Sequence, residues 1–132
     1  MISLRELALI GGTENLVKAL LIVNDAPYGI ERTYNALRVA GALSKREGVE
    51  LKVFLMGDGA VAAQAGQKVP AGYYSAEAML GIPARRGAVI GVCGTCMDAR
   101  GMESDRLVQG ARRSTLEDLT DWIIWAEKVV NF

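Results

Sequence analysis

Both cysteines of this chain fall in one short segment, Val89-Ile90-Gly91-Val92-Cys93-Gly94-Thr95-Cys96-Met97-Asp98-Ala99-Arg100-Gly101, where an apolar run empties into a Cys-x-x-Cys loop. Cysteine is nucleophilic as the thiolate, and the thiolate is favoured beside cations, at helix N-termini and in Cys-x-x-Cys loops. Between positions 85 and 113 stand six arginines (Arg85, Arg86, Arg100, Arg106, Arg112 and Arg113) against three acids (Asp98, Glu103 and Asp105). Positive charge is therefore concentrated around the thiols, and Arg100 is the obvious local cation. The expected chemistry is nucleophilic, with Cys93 attacking, Cys96 as second thiol and Arg100 stabilising the anion.

Other uses of two cysteines fit less well. Free cysteines often serve as inert core residues. Structural zinc takes four ligands, and with two cysteines and no histidine in the chain such a site would have to be shared between subunits. No metal and no cofactor is expected. A thioredoxin-like pair normally follows the first strand with a cis-proline loop downstream, whereas this pair comes late and no proline follows it. The missing histidine also rules out a Ser-His-Asp arrangement for Ser75, Ser104 or Ser114. Gly57-Asp58-Gly59 is better read as a tight turn than as a phosphate cradle, because neither nucleotide-binding glycine pattern is present.

The elements that must hold these thiols follow from periodicity. Lys18 to Asn24 and Leu51 to Met56 are short apolar runs that end in turn residues, Asp25-Ala26-Pro27-Tyr28-Gly29 and Gly57-Asp58-Gly59. Gly87 to Val92 is β-branched and almost wholly apolar, as suits a central strand buried on both faces. Helical spacing runs from Ile30 to Arg46, from Tyr73 to Leu80 with Gly81-Ile82-Pro83 closing it, and from Ser114 to about Ala126, where Ser114 and Glu117 have capping-box spacing. Ala60 to Ala65 suits a short helix, and Val129 to Phe132 a last strand.

Strands alternating with helices mean βαβ units, so the expected fold is α/β, with about five mostly parallel strands between helical layers. Ligands of such sheets bind outside the carboxyl ends of the strands. Asp25 and Tyr28, Asp58, and Cys93 to Cys96 all follow strands at that edge, so three loops are expected to converge on one site. Asp25, Tyr28, Asp58, Gly94 and Thr95 are the candidate substrate-binding residues. The Gly66 to Gly72 stretch is expected to cover them.

A chain of 132 residues suits one domain, burying about two-thirds of its unfolded surface. Residues 1–17 read as an N-terminal extension with weakly helical spacing at Leu4, Leu7 and Ala8, and residues 18–132 as the domain. Fifteen basic against fifteen acidic residues and few aromatics carry no nucleic-acid footprint. No apolar run approaches the ~20 residues of a membrane span. Free thiols without a secretory signal point to a reducing compartment, the cytoplasm. Trp122 and Trp125, three apart on the last helix, cannot both face one small core, so another subunit is expected to cover Trp125 and Ile124.

Five ordered segments resemble the DsrE/DsrF-like family, most closely its YchN-like branch. They are Asn24-Asp25-Ala26-Pro27-Tyr28-Gly29, Phe54-Leu55-Met56-Gly57-Asp58, Gly66-Gln67-Lys68, Cys93-Gly94-Thr95-Cys96-Met97-Asp98-Ala99-Arg100-Gly101, and Asp121-Trp122 with Lys128-Val129-Val130-Asn131-Phe132. The resemblance implies a flavodoxin-like three-layer α/β/α sandwich assembling as a homo-oligomer, trimer or hexamer. In sulfur-relay members it implies a cysteine that carries sulfur as a persulfide and exchanges it with donor or acceptor proteins. By position that cysteine is Cys93, followed by Arg100-Gly101, and Cys96 is the additional thiol of the YchN-like branch. Three functions therefore compete: a persulfide carrier or sulfurtransferase-like protein, a Cys93/Cys96 thiol-disulfide switch, and a non-enzymatic oligomeric module binding a small ligand.

Overall fold

The computed structural model describes residues 3 and 16–132. The helical spacing expected at Leu4, Leu7 and Ala8 lies outside the described residues. Five strands form one sheet: β1 (Val17–Val23), β2 (Val49–Leu55), β3 (Val89–Cys93), β4 (Ala111–Ser114) and β5 (Lys128–Asn131). Their order is β4-β3-β2-β1-β5 and every pairing is parallel. The chain moves from β1 to β4 in one direction across the sheet and then returns to place β5 beside β1.

Parallel crossovers are right-handed, so reversing direction puts the connecting helix on the opposite face. Helices α1 (Arg32–Ser44) and α2 (Ala76–Arg85) cover the first face, and α4 (Leu116–Trp125) covers the second. A short helix, α3 (Gly94–Asp98), leaves β3, and a 3-10 segment (Gly57–Ala63) leaves β2.

Side chains alternate with the two-residue period of a strand. Leu21, Val23, Val53, Leu55, Ile90 and Val92 join the first-face core with Leu37 and Ala40 of α1 and Leu80 of α2. Leu20 and Phe54 join the second-face core with Leu119 and Trp122 of α4. The Phe54 and Trp122 rings meet edge to face, centroids 5.8 Å apart. Gly91 makes room for that indole, since a Cβ there would stand 2.7 Å from its Cη2. On the same side the Lys52 ammonium lies over both indoles, 5.3 Å from the Trp122 ring and 4.3 Å from that of Trp125.

Several local expectations are corrected. Helix α2 runs through Gly81-Ile82-Pro83 instead of stopping there. It ends at Arg85, and the chain turns away at Gly87, with φ of 94°, where the Gly87 and Ala88 amides return to the carbonyls of Ala84 and Pro83. The cap of α4 is Thr115 with Asp118, one residue later than expected, because Ser114 is the buried last residue of β4 and donates its hydroxyl to the Arg112 carbonyl. The segment after Gly57 is 3-10 and not α-helical. Strand β4 was not legible at all, since Ala-Arg-Arg-Ser has no apolar run.

Candidate functional site

Cys93 ends β3 and is at the same time the residue that caps α3. It continues the row of Val89 and Gly91, so its side chain packs with the second-face core. Cys96, one turn into α3, packs with the first-face core beside the buried Met97. The two thiols thus pack against different cores yet line one cavity at the sheet's carboxyl edge, where β3 exits toward one layer and β4 toward the other. That divergence is where α/β sheets open a crevice.

A cavity of about 470 Å³ occupies the crevice, and both Cys93 and Cys96 line it. Phe54, Met56 and Leu116 supply apolar walls, Cys93 and Thr95 one polar flank, and Arg113 and Glu117 the charges. Both thiols are free and half-buried.

Burial pushes the Cys93 thiol up, but hydrogen bonds from the Cys96 thiol, the Thr95 hydroxyl and the Cys96 and Thr95 amides outweigh it and hold the group below its ordinary range. Its Sγ is 3.3 Å from Thr95 Oγ1. Cys96 moves the other way. Burial and the neighbouring Cys93 raise it, against the Gly57 amide, which donates to its Sγ at 3.1 Å, and Arg100. The loop supplying that amide is tightly seated: Gly57 has φ of 56°, and a Cβ on Gly59 would stand 2.4 Å from the Val23 carbonyl oxygen.

The arginines divide between the two thiols in a way that sequence did not indicate. Arg100 donates to Asp58 Oδ1 from Nε and Nη2, at 3.2 and 2.7 Å, and to the Cys96 carbonyl from Nη1, at 3.0 Å. It therefore serves Cys96, not Cys93. The cation on the cavity side is Arg113, whose guanidinium lies across Gly94 and grips Asp98 with two bonds of 2.7 and 2.9 Å. This pairing holds the Asp98 carboxyl below its ordinary range. Asp98 and Asp58 thus compensate arginines that the sequence shows only as an excess of charge.

Asp58, Gly94 and Thr95 are brought to the cysteines, whereas Asp25 and Tyr28 are not. The Asp25 carbonyl accepts from Thr33 and its carboxylate lies 3.5 Å from Arg32. The Tyr28 hydroxyl donates to Gln67 and accepts from the Ala76 amide at 3.0 Å. Tyr28 faces a separate cavity of about 480 Å³ with Glu31, Tyr73 and Tyr74. The Gly66 to Gly72 stretch does not cover the thiols, because the Gly66 and Gln67 amides are tied to the Glu77 carboxylate at 3.0 and 2.8 Å. Sequence reasoning missed Arg113, Thr115 and Glu117 as cavity residues; the signal for the last two was the capping pattern, read one residue early. Among the described residues no group of three or more potential ligands could hold a metal ion, and no helix is long and apolar enough to cross a membrane.

The profile of the DsrE/DsrF-like family matches residues 17–132. Protein YchN of Escherichia coli K12 is 38% identical over 116 residues, spanning 87% of this chain and 98% of that protein. Protein MJ0989 of Methanocaldococcus jannaschii is 36% identical over 116 residues, 88% of this chain and all of that protein. The crystal structure of the E. coli YchN protein superposes with a TM-score of 0.84 at 37% identity, covering 89% of this chain and 100% of that one.

Proposed function

The chain belongs to the DsrE/DsrF-like family, and from that membership we propose that it is a cysteine-based sulfur carrier, a sulfurtransferase-like protein holding sulfane sulfur as a persulfide on Cys93. The observation that carries this reading is the setting of Cys93: a half-buried thiol at the N-terminal end of α3, 3.3 Å from the Thr95 hydroxyl, opening on a cavity with an arginine among its lining residues. In the transfer step the Cys93 thiolate attacks the outer sulfur of a donor persulfide. The donor's S–S bond breaks, the donor leaves as a thiolate, and Cys93–S–SH forms.

Cys96 is the resolving thiol. As a thiolate it attacks Cys93 Sγ, forming a Cys93–Cys96 disulfide and releasing hydrosulfide, after which a thiol reductant restores both groups. In this reading the protein works in the cytoplasm as a homo-oligomer, trimer or hexamer, with a sulfur donor or acceptor as partner. The test is mass: the reduced protein, treated with a persulfide donor, gains one sulfur atom on Cys93. An unmodified Cys93 and Cys96 under those conditions rejects the reading.

A second reading, a thiol-disulfide switch, is favoured by two free thiols, one helical turn apart, lining the same cavity. It predicts a reversible loss of two hydrogens and a defined potential in a glutathione titration, with no sulfur adduct.

A further inference from the structure

The cavity beside Cys93 is larger than the reaction requires. A sulfur atom or hydrosulfide ion fills little more than a water molecule's share of liquid, ~30 Å³, whereas the cavity holds about 470 Å³, within the range of small-molecule pockets. Its charges are few and opposite in sign. Arg113, from the end of β4, spends two of its five N–H groups on Asp98, leaving three. Glu117, in the first turn of α4, makes no ion pair among the described residues. Between them Phe54, Met56 and Leu116 offer apolar surface, and Cys93 stands at the same wall.

We propose that this cavity admits a low-molecular-weight amino-acid persulfide, with Arg113 receiving the donor's α-carboxylate and Glu117 its α-ammonium. The proposal rests on the sulfur-carrier reading of Cys93. Both α-groups of a free amino acid are charged, but in a protein-bound cysteine both are consumed in amides, so the opposed pair matches the free molecule and not a persulfide on a folded donor. A planar guanidinium suits a carboxylate, and the short methylene stem lies along the apolar wall. The chemistry balances: Cys93 thiolate and R–S–SH give Cys93–S–SH and the amino-acid thiolate. Cys93 is oxidised to the persulfide level and the donor is reduced to a thiol.

The experiment measures the rate of sulfur addition to Cys93 by mass in the Cys96→Ser protein, with cysteine persulfide and with an uncharged alkyl persulfide. Taking the ratio of the two rate constants cancels any general effect of a substitution on the thiol. The expected ratio is about tenfold in favour of cysteine persulfide, the size of one charge-assisted hydrogen bond. Arg113→Gln should bring it near unity and Glu117→Gln should lower it about twofold. Glu117 is exposed, so Glu117→Gln keeps the test open should Arg113→Gln fold poorly. Equal rates for both donors, or a ratio indifferent to both substitutions, overturn the proposal. If inorganic polysulfide still loads Cys93 in that case, the carrier reading survives, and faster loading from a persulfide-bearing protein assigns the donor to that class. If no donor of any kind adds sulfur, the carrier reading fails and this proposal falls with it.

Discussion

Arg113 lies so closely across the α-carbon of Gly94 that a Cβ built there would stand 2.8 Å from its Nε and Cζ. The obstructing atoms are the end of a flexible side chain, so Gly94→Ala is expected to displace Arg113 from Cys93 and Asp98 while leaving stability within about 0.5 kcal/mol. Alkylation of Cys93 near neutral pH should slow. Denaturant melts together with iodoacetamide kinetics check this. A large loss of stability with unchanged thiol kinetics would refute it.

The thiols should separate by pH. Cys93 is held below and Cys96 above the ordinary range, so in the reduced native chain, with each site followed by mass, initial alkylation of Cys93 should reach half its plateau at a lower pH than that of Cys96. A depressed pKa means that the thiolate persists to lower pH, so Cys93 reactivity is the part retained on acidification. Arg113→Ala should move the Cys93 midpoint upward. Arg100→Ala should move that of Cys96 upward and leave Cys93 little changed, because Arg100 binds the Cys96 carbonyl. A Cys96 midpoint below that of Cys93 would exchange their roles.

Gly59→Ala is expected to be severe. Its Cβ would meet backbone at the end of β1, 2.4 Å from the Val23 carbonyl oxygen, and backbone cannot swing aside as Arg113 can. The expected cost is about 3 kcal/mol, seen as a lower urea midpoint. Cys96 should also become more accessible as the Gly57 amide is disturbed. A variant as stable as the native chain would contradict the seating of this loop.

Helix α4 turns Leu116, Ile123 and Ile124 outward, Ile124 with 79% of its surface exposed. Burial of such a surface between copies is the expected outcome, so sedimentation at micromolar concentration should give a trimer or larger species. Ile124→Asp should shift the distribution toward smaller species, since charge at an apolar contact carries a desolvation penalty. A native chain that sediments as a monomer would reject oligomerisation through this face.

The three central strands were legible because each is an apolar run closed by turn residues, and their parallel order follows from the helices between them. In α1 the apolar spacing picks out Leu37 and Ala40, which are buried, and passes over Thr33 and Ala36, which are buried too. Strand β4 was hidden because an edge strand four residues long needs no apolar face, and Arg112 and Arg113 look like any charged turn. The α4 cap was displaced because Ser114-Thr115-Leu116-Glu117-Asp118 offers two overlapping frames, and only the burial of Ser114 chooses between them. Cys93, Cys96, Asp58 and Thr95 meet because loops at one sheet edge must be neighbours. Being at that edge did not bring Asp25 and Tyr28 to the thiols, since the helical layers divide it into two cavities. Nor does linear proximity tell which arginine serves which sulfur, because Arg100 and Arg113 are aimed by carboxylates on other segments.

The two indoles beneath the Lys52 ammonium give the protein an intrinsic optical gauge. Indole emission responds to a nearby charge, and Trp122 rests on Gly91, two residues before Cys93 in the same strand. A shift of β3 is thereby expected to register in tryptophan fluorescence without any attached dye, and the wavelength can be calibrated by replacing Lys52 with methionine.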